Sequence, residues 1–282
     1  MNADVHLRPG RDAEVSAKLV VSITTLPSRI GEIRPCLESL LSGSMRPDKI
    51  FLILPKFSIR EQRAYDVPAF LDSPEFCQGI VDIVRTDHDW GPGSKLLGAL
   101  GRLREPCVLV IADDDVIYSP TFLAELYAAQ TQDRRASFSF HTYRSNGLTI
   151  GPGCDGFTFW LPNLAGIAEF AERHIVGTNL FFHDDLWISF YLKIHGIAVK
   201  SLADTLAGRL VYERMHDINS LNRLEGELKR RNLDRDGTRR LLKEVAMPAS
   251  LRLRLRCERM FDRIVGSRIR KLRRKLRRWF GS

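Results

Sequence analysis

Short apolar runs alternate with amphipathic segments along the first half of the chain. This pattern predicts four strands, at 18–25, 48–54, 80–85 and 107–112, and two helices, at 31–41 and 94–103. The run at 107–112, CVLVIA, contains no charged residue and is typical of a strand that is buried on both faces of a parallel sheet. Because strands and helices alternate, the pattern predicts an α/β fold with a mainly parallel sheet flanked by helices.

The second half of the chain is less regular. Residues 137–143 alternate like a strand, residues 145–165 are rich in glycine, proline and aromatic residues, and residues 184–195 have the apolar spacing of a helix. From Met260 onward, apolar residues recur at spacings of three and four, with one gap of one, among arginines and lysines. This spacing predicts a basic amphipathic helix over 248–282.

Composition is that of a soluble globular protein with one large domain: the 282 residues are 44% hydrophobic and 27% charged. The five cysteines are scattered without a CxxC pair, which predicts neither a zinc site nor a disulfide framework and fits a reducing cytosol. Cys36 and Cys107 lie in apolar segments and are predicted core residues. Residues 1–17 are polar, lack the apolar stretch of a signal peptide, and are predicted to form a flexible arm. No segment has the length and apolarity of a transmembrane helix.

Charge is concentrated at the end of the chain. Residues 251–282 hold 13 Lys or Arg and 2 Asp or Glu, a net charge of +11, whereas the whole chain carries +9, which leaves −2 for residues 1–250. An apolar face with terminal aromatic residues among these charges favours binding to an anionic membrane surface through 251–282. A helix packed on the domain with a solvated basic face is the alternative. Nucleic acid would use the same charges but not the apolar face, so it is not an expected partner.

Three consecutive aspartates, Asp113, Asp114 and Asp115, follow the fourth strand. Open α/β sheets bind ligands at the carboxyl ends of their strands. Three adjacent negative charges require a counter-charge, and a hard divalent cation with phosphate ligands would supply it. An acidic turn with solvated carboxylates explains the same residues equally well from spacing alone.

Two other strand-end loops carry polar residues. The segment TTLPSR at 24–29 offers hydroxyl groups and an arginine before a helix, which suits an anionic ligand, or else a helix cap beside a solvated arginine. The segment DWGPGSK at 89–95 offers glycines that permit close approach of the backbone and a lysine that can reach a phosphate, although it lacks the spacing of a P-loop.

A second acidic motif, Asp184 and Asp185, starts the helix predicted at 184–195. Carboxylates are favourable at a helix N-terminus for electrostatic reasons alone. They can also act as a general base that faces a cleft. The residue pattern leaves both interpretations open.

Five segments together resemble the nucleotide-sugar-dependent glycosyltransferases of the GT-A fold, particularly bacterial family-two-like members. They are VVSITTLPSRI at 20–30, PDKIFLILP at 47–55, DWGPGSKL at 89–96, IADDDVIYSP at 111–120 and DDLWISFYLKIHGI at 184–197. The resemblance covers about residues 18–225. It implies a GT-A (Rossmann-like) domain over 18–247, with a mixed, mainly parallel sheet, followed by the C-terminal helical basic tail.

The resemblance also implies roles for individual residues. Asp113 and Asp115 match the outer carboxylates of a DxD motif that holds Mn²⁺ or Mg²⁺, and His216 is a candidate further ligand. Asp185 matches the catalytic base, which Asp184 would support. The implied donor-binding residues are Thr24, Thr25, Pro27, Arg29, Asp89, Lys95, Asp113 and Asp114.

The function that the resemblance implies is a hexosyltransferase-type, inverting, metal-dependent transfer from a nucleoside-diphosphate sugar, by default a UDP-sugar, to a glycan or glycolipid hydroxyl of a bacterial cell envelope. The expected location is the cytoplasm, peripheral to the inner face of the cytoplasmic membrane. The loop at 151–157 lies where acceptor-binding segments occur, and Trp160 is either a sugar-stacking or a core residue.

Two other functions compete with this one. A sugar-phosphate nucleotidyltransferase shares the sheet and the metal, but the chain lacks a GxGxR-type glycine-rich loop near its N-terminus. A non-enzymatic membrane- or nucleic-acid-binding module with a degenerate site would not require Lys95 and the acidic residues to be intact.

Overall fold

The structure is a computed structural model that describes residues 16–215, 227–262 and 264, with 227–234 described by backbone alone. The strands are β1 (Lys18–Thr24), β2 (Lys49–Pro55), β3 (Val81–Thr86), β4 (Cys107–Ala112), β5 (Val116–Tyr118), β6 (Ala136–Ser139), β7 (Tyr143–Ser145), β8 (Leu148–Ile150), β9 (Phe157–Trp160), β10 (Ala198–Ser201) and β11 (Tyr212–Arg214). The helices are α1 (Arg34–Leu41), α2 (Pro74–Cys77), α3 (Ser94–Leu100), α4 (Phe122–Gln132), α5 (Ile167–His174), α6 (Asp184–Ile194), α7 (Glu227–Glu244) and a last helix at 249–262.

Seven strands form the central sheet in the order β10-β6-β9-β4-β1-β2-β3. All neighbouring strands are parallel except where β9 pairs antiparallel with β4 and β6. The predicted mixed, mainly parallel α/β sheet flanked by helices is therefore confirmed. Because β1, β3 and β4 run in the same direction, the loops that follow them lie along one edge of the sheet.

The four strands predicted in the first half are confirmed, with ends that differ by one residue at most. The predicted helix at 31–41 begins later, because residues Ile30–Glu32 form a 3-10 turn and α1 starts one residue before Pro35. The strand predicted at 137–143 is shorter than expected. It ends at Ser139, where its pairing with both β9 and β10 stops.

The chain continues from β6 into the hairpin β7–β8, which the sequence analysis did not predict. Its turn consists of Asn146 and Gly147, both with positive φ. Two-residue turns of this kind favour Asn-Gly because both positions require a left-handed backbone. The hairpin matters for the site because β8 leads directly into the loop at 151–156.

Both faces of the sheet are covered by apolar side chains. Within β4, Leu109 and Ile111 face the layer that contains α3, α5 and α6, whereas Val108 and Val110 face α1 and α4. The absence of polar residues from CVLVIA follows from this double burial. Cys36 and Cys107 are buried, as predicted.

The helix at 249–262 packs against the hairpin and α6. Leu255 is 1% exposed, and Asp262 accepts hydrogen bonds from the Gly147 N–H (2.7 Å) and Arg144 Nε (3.0 Å). Glu258 pairs with Lys193 of α6 at 2.9 Å. The described part of the predicted tail is thus attached to the domain, and the division at residues 247 and 248 remains a prediction. Residues 263 and 265–282 of that tail, and residues 1–15 of the N-terminal arm, lie outside the described residues.

Across the described ranges, no helix combines the length and apolarity needed to cross a membrane.

The packing of the last helix can be tested by truncating Leu255. We expect Leu255→Ala to lower the free energy of unfolding by about 2–4 kcal/mol, because it removes a buried side chain from the core. Leu253, two residues earlier on the same helix, is 63% exposed. Leu253→Ala should therefore change stability by less than about 0.5 kcal/mol. Urea unfolding measures both values, and equal effects would contradict the described packing.

Candidate active site

The loops after β1 and β4 meet α3 and the start of α6 at one edge of the sheet. The aspartate triplet directly follows β4, and the acidic pair Asp184 and Asp185 begins α6. Lys95 joins the two motifs from the first turn of α3. Its Nζ lies 2.6 Å from Asp113 Oδ1 and 3.2 Å from Asp184 Oδ2. Two motifs that are some 70 residues apart in the sequence are therefore brought together around one ammonium group.

The ammonium group of Lys95 is buried, since the residue is only 4% exposed. Burial by itself lowers the pKa of a lysine, but the neighbouring carboxylates of Asp113, Asp184 and Asp185 outweigh it and raise the pKa of Lys95 well above its ordinary value. Lys95 is therefore a fixed positive charge. The Ser22 hydroxyl of β1 donates to the Lys95 carbonyl oxygen at 2.5 Å and ties the start of α3 to the sheet.

Arg29 supplies the counter-charge for the other two aspartates of the triplet. Its guanidinium donates to Asp114 Oδ1 at 2.6 Å and to Asp115 Oδ2 at 3.1 Å. The Thr25 hydroxyl donates to Asp114 Oδ2. Asp114 is 5% exposed, and burial raises its pKa to about 6 although Arg29 opposes the shift. Burial and the charge of Asp113 also raise the pKa of Asp115.

The loop that follows β1 at residues 25–29, called the first loop below, is bound to the triplet by two of its predicted donor-binding residues, Thr25 and Arg29. Tyr65 donates its hydroxyl to the Thr25 carbonyl oxygen at 2.8 Å, and the Thr24 hydroxyl donates to the Ile53 carbonyl oxygen at 2.9 Å. Pro27 is half-buried at the surface of this loop. The structure thus gives Thr24, Thr25 and Arg29 partners within the protein, and their contacts with a donor remain a prediction.

Asp89 organises the loop that follows β3, because its carboxylate accepts hydrogen bonds from backbone N–H groups. Its Oδ2 accepts the Ile59 N–H and its Oδ1 accepts the Gly91 N–H, both at 2.7 Å. Gly91 and Gly93 of this loop lie against aromatic rings. A Cβ atom would lie 2.8 Å from the Phe181 ring at Gly91 and 3.0 Å from the Trp187 ring at Gly93. The close approach that these glycines permit is therefore made by side chains of the protein.

Gly153 is a site residue that the sequence analysis placed only within a loop. Its N–H donates to Asp185 Oδ1 at 3.0 Å and orients that carboxylate. A Cβ atom at Gly153 would lie 2.6 Å from Lys95 Nζ and 2.9 Å from Asp113 Oδ1. A side chain at this position would therefore displace the paired ends of Lys95 and Asp113. The loop at 151–157 thus lies beside both acidic motifs, and a role in acceptor binding remains a prediction.

The segment after β10 also reaches the triplet, through an antiparallel pair that the sequence analysis did not predict. Strand β11 pairs with β5, which places Arg214 opposite Val116, and the Met215 N–H donates to the Asp115 carbonyl oxygen at 2.9 Å. The charge of Arg214 lowers the pKa of Asp115 against the larger effect of burial. His216, the candidate metal ligand that follows Met215, lies outside the described residues.

Trp160 lies away from the site. It pairs with Val108 near the start of β4, whereas the triplet follows the end of that strand. The Arg134 guanidinium stacks over its ring at 4.3 Å, and the ring packs against the core. Of the two interpretations of Trp160, the core residue is the one that the structure supports.

The residues available for a divalent cation are the carboxylates of Asp113 and Asp115. Among residues 16–215, 227–262 and 264, no group of three or more His, Cys, Asp or Glu side chains has the arrangement of a metal site. The Asp113 and Asp115 side chains are 33% and 18% exposed, so each can be reached by a ligand. Oxygen donors of this kind suit Mn²⁺ or Mg²⁺ once phosphate oxygens complete the coordination. The donor set therefore fits a cation that arrives with a diphosphate.

A scan against protein-family models and a search of curated proteins found no match. A search of solved structures found 184 matching chains, among them the mannosyltransferase PcManGT from Pyrobaculum calidifontis in complex with GDP-Man and Mn²⁺. That match has a TM-score of 0.56 at 13% sequence identity and covers 87% of this chain and 70% of the mannosyltransferase. The chain therefore has the Rossmann-like fold of a glycosyltransferase.

Removing Arg29 should destabilise the protein in a pH-dependent manner. We expect Arg29→Met to lower the free energy of unfolding by about 3–5 kcal/mol near neutral pH, because it leaves Asp114 buried without its cation. Lys18, whose pair with Glu105 is exposed, provides the control, and Lys18→Met should leave the free energy of unfolding close to the wild-type value.

The sign of the pH dependence follows from Asp114. Its pKa of about 6 in the native state lies above the ordinary carboxyl value, so its protonation favours the native state at low pH, and this stability is lost as the pH rises through 6. Without Arg29 that pKa rises further. The deficit of Arg29→Met should therefore shrink between about pH 7.5 and about pH 5 in urea unfolding. A deficit that is constant over this range would contradict the role of Arg29.

Proposed function

We propose that this chain is a metal-dependent, inverting glycosyltransferase of the hexosyltransferase type and the GT-A subtype. It would transfer a sugar from a nucleoside-diphosphate sugar to a hydroxyl group of a glycan or glycolipid. The observation that carries the proposal is the junction at Lys95, whose ammonium group pairs with both Asp113 and Asp184 and also interacts electrostatically with Asp185. Donor-binding and base functions require such carboxylates within one cleft.

The donor diphosphate would lie against the triplet. Lys95 and Arg29 are the cations available to its phosphate oxygens, and Asp113 and Asp115 would hold Mn²⁺ or Mg²⁺. When bound, the metal supplies charge neutralisation for the departing nucleoside diphosphate. Asp114, which is buried between Thr25 and Arg29, positions the first loop rather than contacting the metal.

Asp185 is the proposed general base. Its carboxylate takes the proton of the acceptor hydroxyl while that oxygen forms a bond to the anomeric carbon and the bond from this carbon to the diphosphate oxygen breaks. The electron pair leaves with the nucleoside diphosphate. A single displacement of this kind inverts the anomeric configuration. The Gly153 N–H fixes Asp185 Oδ1 during the step, and Asp184 keeps Lys95 in place.

The donor base is proposed as uracil by default, and guanine is its main competitor because PcManGT was solved with GDP-Man and Mn²⁺. Both share the diphosphate that the triplet would bind. A comparison of UDP with GDP therefore tests the base separately from the site.

Donor binding should depend on metal and on Asp115. We expect UDP or GDP with Mn²⁺ to raise the melting temperature of the wild-type chain, and the shift to disappear without Mn²⁺ or in Asp115→Ala, because both remove the bridge to the diphosphate. Asp82→Asn, at an exposed carboxylate that pairs with Lys49, serves as the control. Differential scanning fluorimetry measures the shifts. If no nucleotide stabilises the wild-type chain, the non-enzymatic alternative is favoured and the transferase is contradicted.

Transfer itself should depend on Asp185. We expect Asp185→Asn to lower the release of nucleoside diphosphate from the sugar donor by about 10²–10⁴-fold, because the amide cannot accept the acceptor proton. The amide oxygen can still accept the Gly153 N–H, so the metal-dependent melting shift should be retained. A wild-type rate would rule out Asp185 as the base. Release of pyrophosphate from a nucleoside triphosphate and a sugar phosphate would instead identify a nucleotidyltransferase.

A further inference from the structure

The helix at 249–262 has an apolar face that the domain does not cover. Leu253 and Phe261 are each 63% exposed and Met260 is 61% exposed. Exposed apolar side chains that lie together on one surface are typical of an interaction site. Cys257, which is also exposed, lies between them. Because spacings of three and four place residues on one side of a helix, Leu253, Cys257 and Met260 form a single stripe, with Phe261 at its border.

The opposite face of the same helix is fixed to the domain. Leu255 is buried, Glu258 pairs with Lys193, and Asp262 accepts the Gly147 N–H. The helix therefore cannot turn to bury its exposed stripe without breaking these contacts. A surface helix of a globular domain usually has one apolar face, which packs on the domain, and a polar outer face. This helix differs because its outer face is apolar as well.

The charges beside the stripe have one sign. Arg254 and Arg256 are exposed on either side of it, and Arg254 also pairs with Glu258 at 3.1 Å on the side away from the stripe. In the sequence, residues 265–282 add eight Lys or Arg and no Asp or Glu. Apolar side chains bordered by arginines match the boundary of an anionic bilayer, where the apolar groups enter the acyl region and the cations meet lipid phosphates.

We propose that this stripe, defined by Leu253, Cys257, Met260 and Phe261, docks on an anionic lipid bilayer and holds the domain in a fixed orientation on it. A second copy of the chain would bring two sets of arginines together, which is unfavourable. Nucleic acid would use the arginines and leave the apolar stripe in water. The proposal does not depend on transferase activity, because the stripe and the candidate active site share no residue.

Co-sedimentation of the full-length chain with vesicles tests the proposal. We expect binding to vesicles of phosphatidylglycerol and phosphatidylcholine and little binding to vesicles of phosphatidylcholine alone. The double variant Met260→Glu and Phe261→Glu should bind the anionic vesicles at least about tenfold more weakly, because it places carboxylates at the bilayer boundary. The matched control is Leu210→Glu, at a leucine that is 74% exposed in another part of the chain, and it should bind like the wild type.

Melting temperatures of all variants should match that of the wild type because the altered side chains are exposed. If the double variant has a lower melting temperature than the wild type, Leu253→Glu replaces it as the test variant. Unchanged vesicle binding by the stripe variants would overturn the proposal and assign any binding to charges elsewhere. Concentration-dependent dimers that the stripe variants abolish, without vesicle binding by the wild type, would show that a second copy covers the stripe. Binding to an RNA homopolymer but not to vesicles would overturn the proposal as well.

Discussion

The buried ammonium group of Lys95 is the interaction on which the candidate site depends. A lysine that is 4% exposed requires carboxylates within contact distance, because an unpaired charge in such a position is strongly destabilising. Asp113 and Asp184 meet this requirement from β4 and α6 at 2.6 and 3.2 Å. The end of a central strand, the first turn of α3 and the start of α6 are therefore held in one arrangement by a single cation.

The close approach of these elements also constrains the backbone between them. The loop that leads from β8 to β9 passes so near Lys95 and Asp113 that a Cβ atom at Gly153 would displace the ends of both side chains. Its N–H is in turn the donor that orients Asp185. The hairpin β7–β8, which enters this loop, rests on the last helix through Gly147 and Asp262. A continuous series of contacts therefore connects the helix at 249–262 to Asp185, the proposed base.

The central strands could be predicted from the sequence because double burial leaves an apolar run such as CVLVIA that no turn or surface helix would have. The hairpin was missed although Asn146-Gly147 is a strong local signal, since its strands have three residues each and show no clear alternation. The pairing of β5 with β11 could not be predicted, because it joins three-residue segments that are far apart in sequence. The aspartate triplet was indicated by its position after a strand and the pair Asp184 and Asp185 by its position at a helix start. Their ion-pair partners could not be predicted, because these depend on how far each side chain reaches in the folded protein.

The ion pairs with Lys95 and Arg29 reduce the counter-charge that the aspartate triplet needs from a metal ion. Its three charges call for a cation, yet Lys95 already pairs with Asp113, and Arg29 pairs with Asp114 and Asp115. The protein's own side chains thus offset part of the triplet's charge, with two cations against three carboxylates. A divalent cation must compete with them for Asp113 and Asp115, and a diphosphate would ease that competition by giving Lys95 and Arg29 other anions to pair with. In the proposed function each ligand would then remove an obstacle to the other, so metal and diphosphate binding would be coupled with the same free energy in both directions.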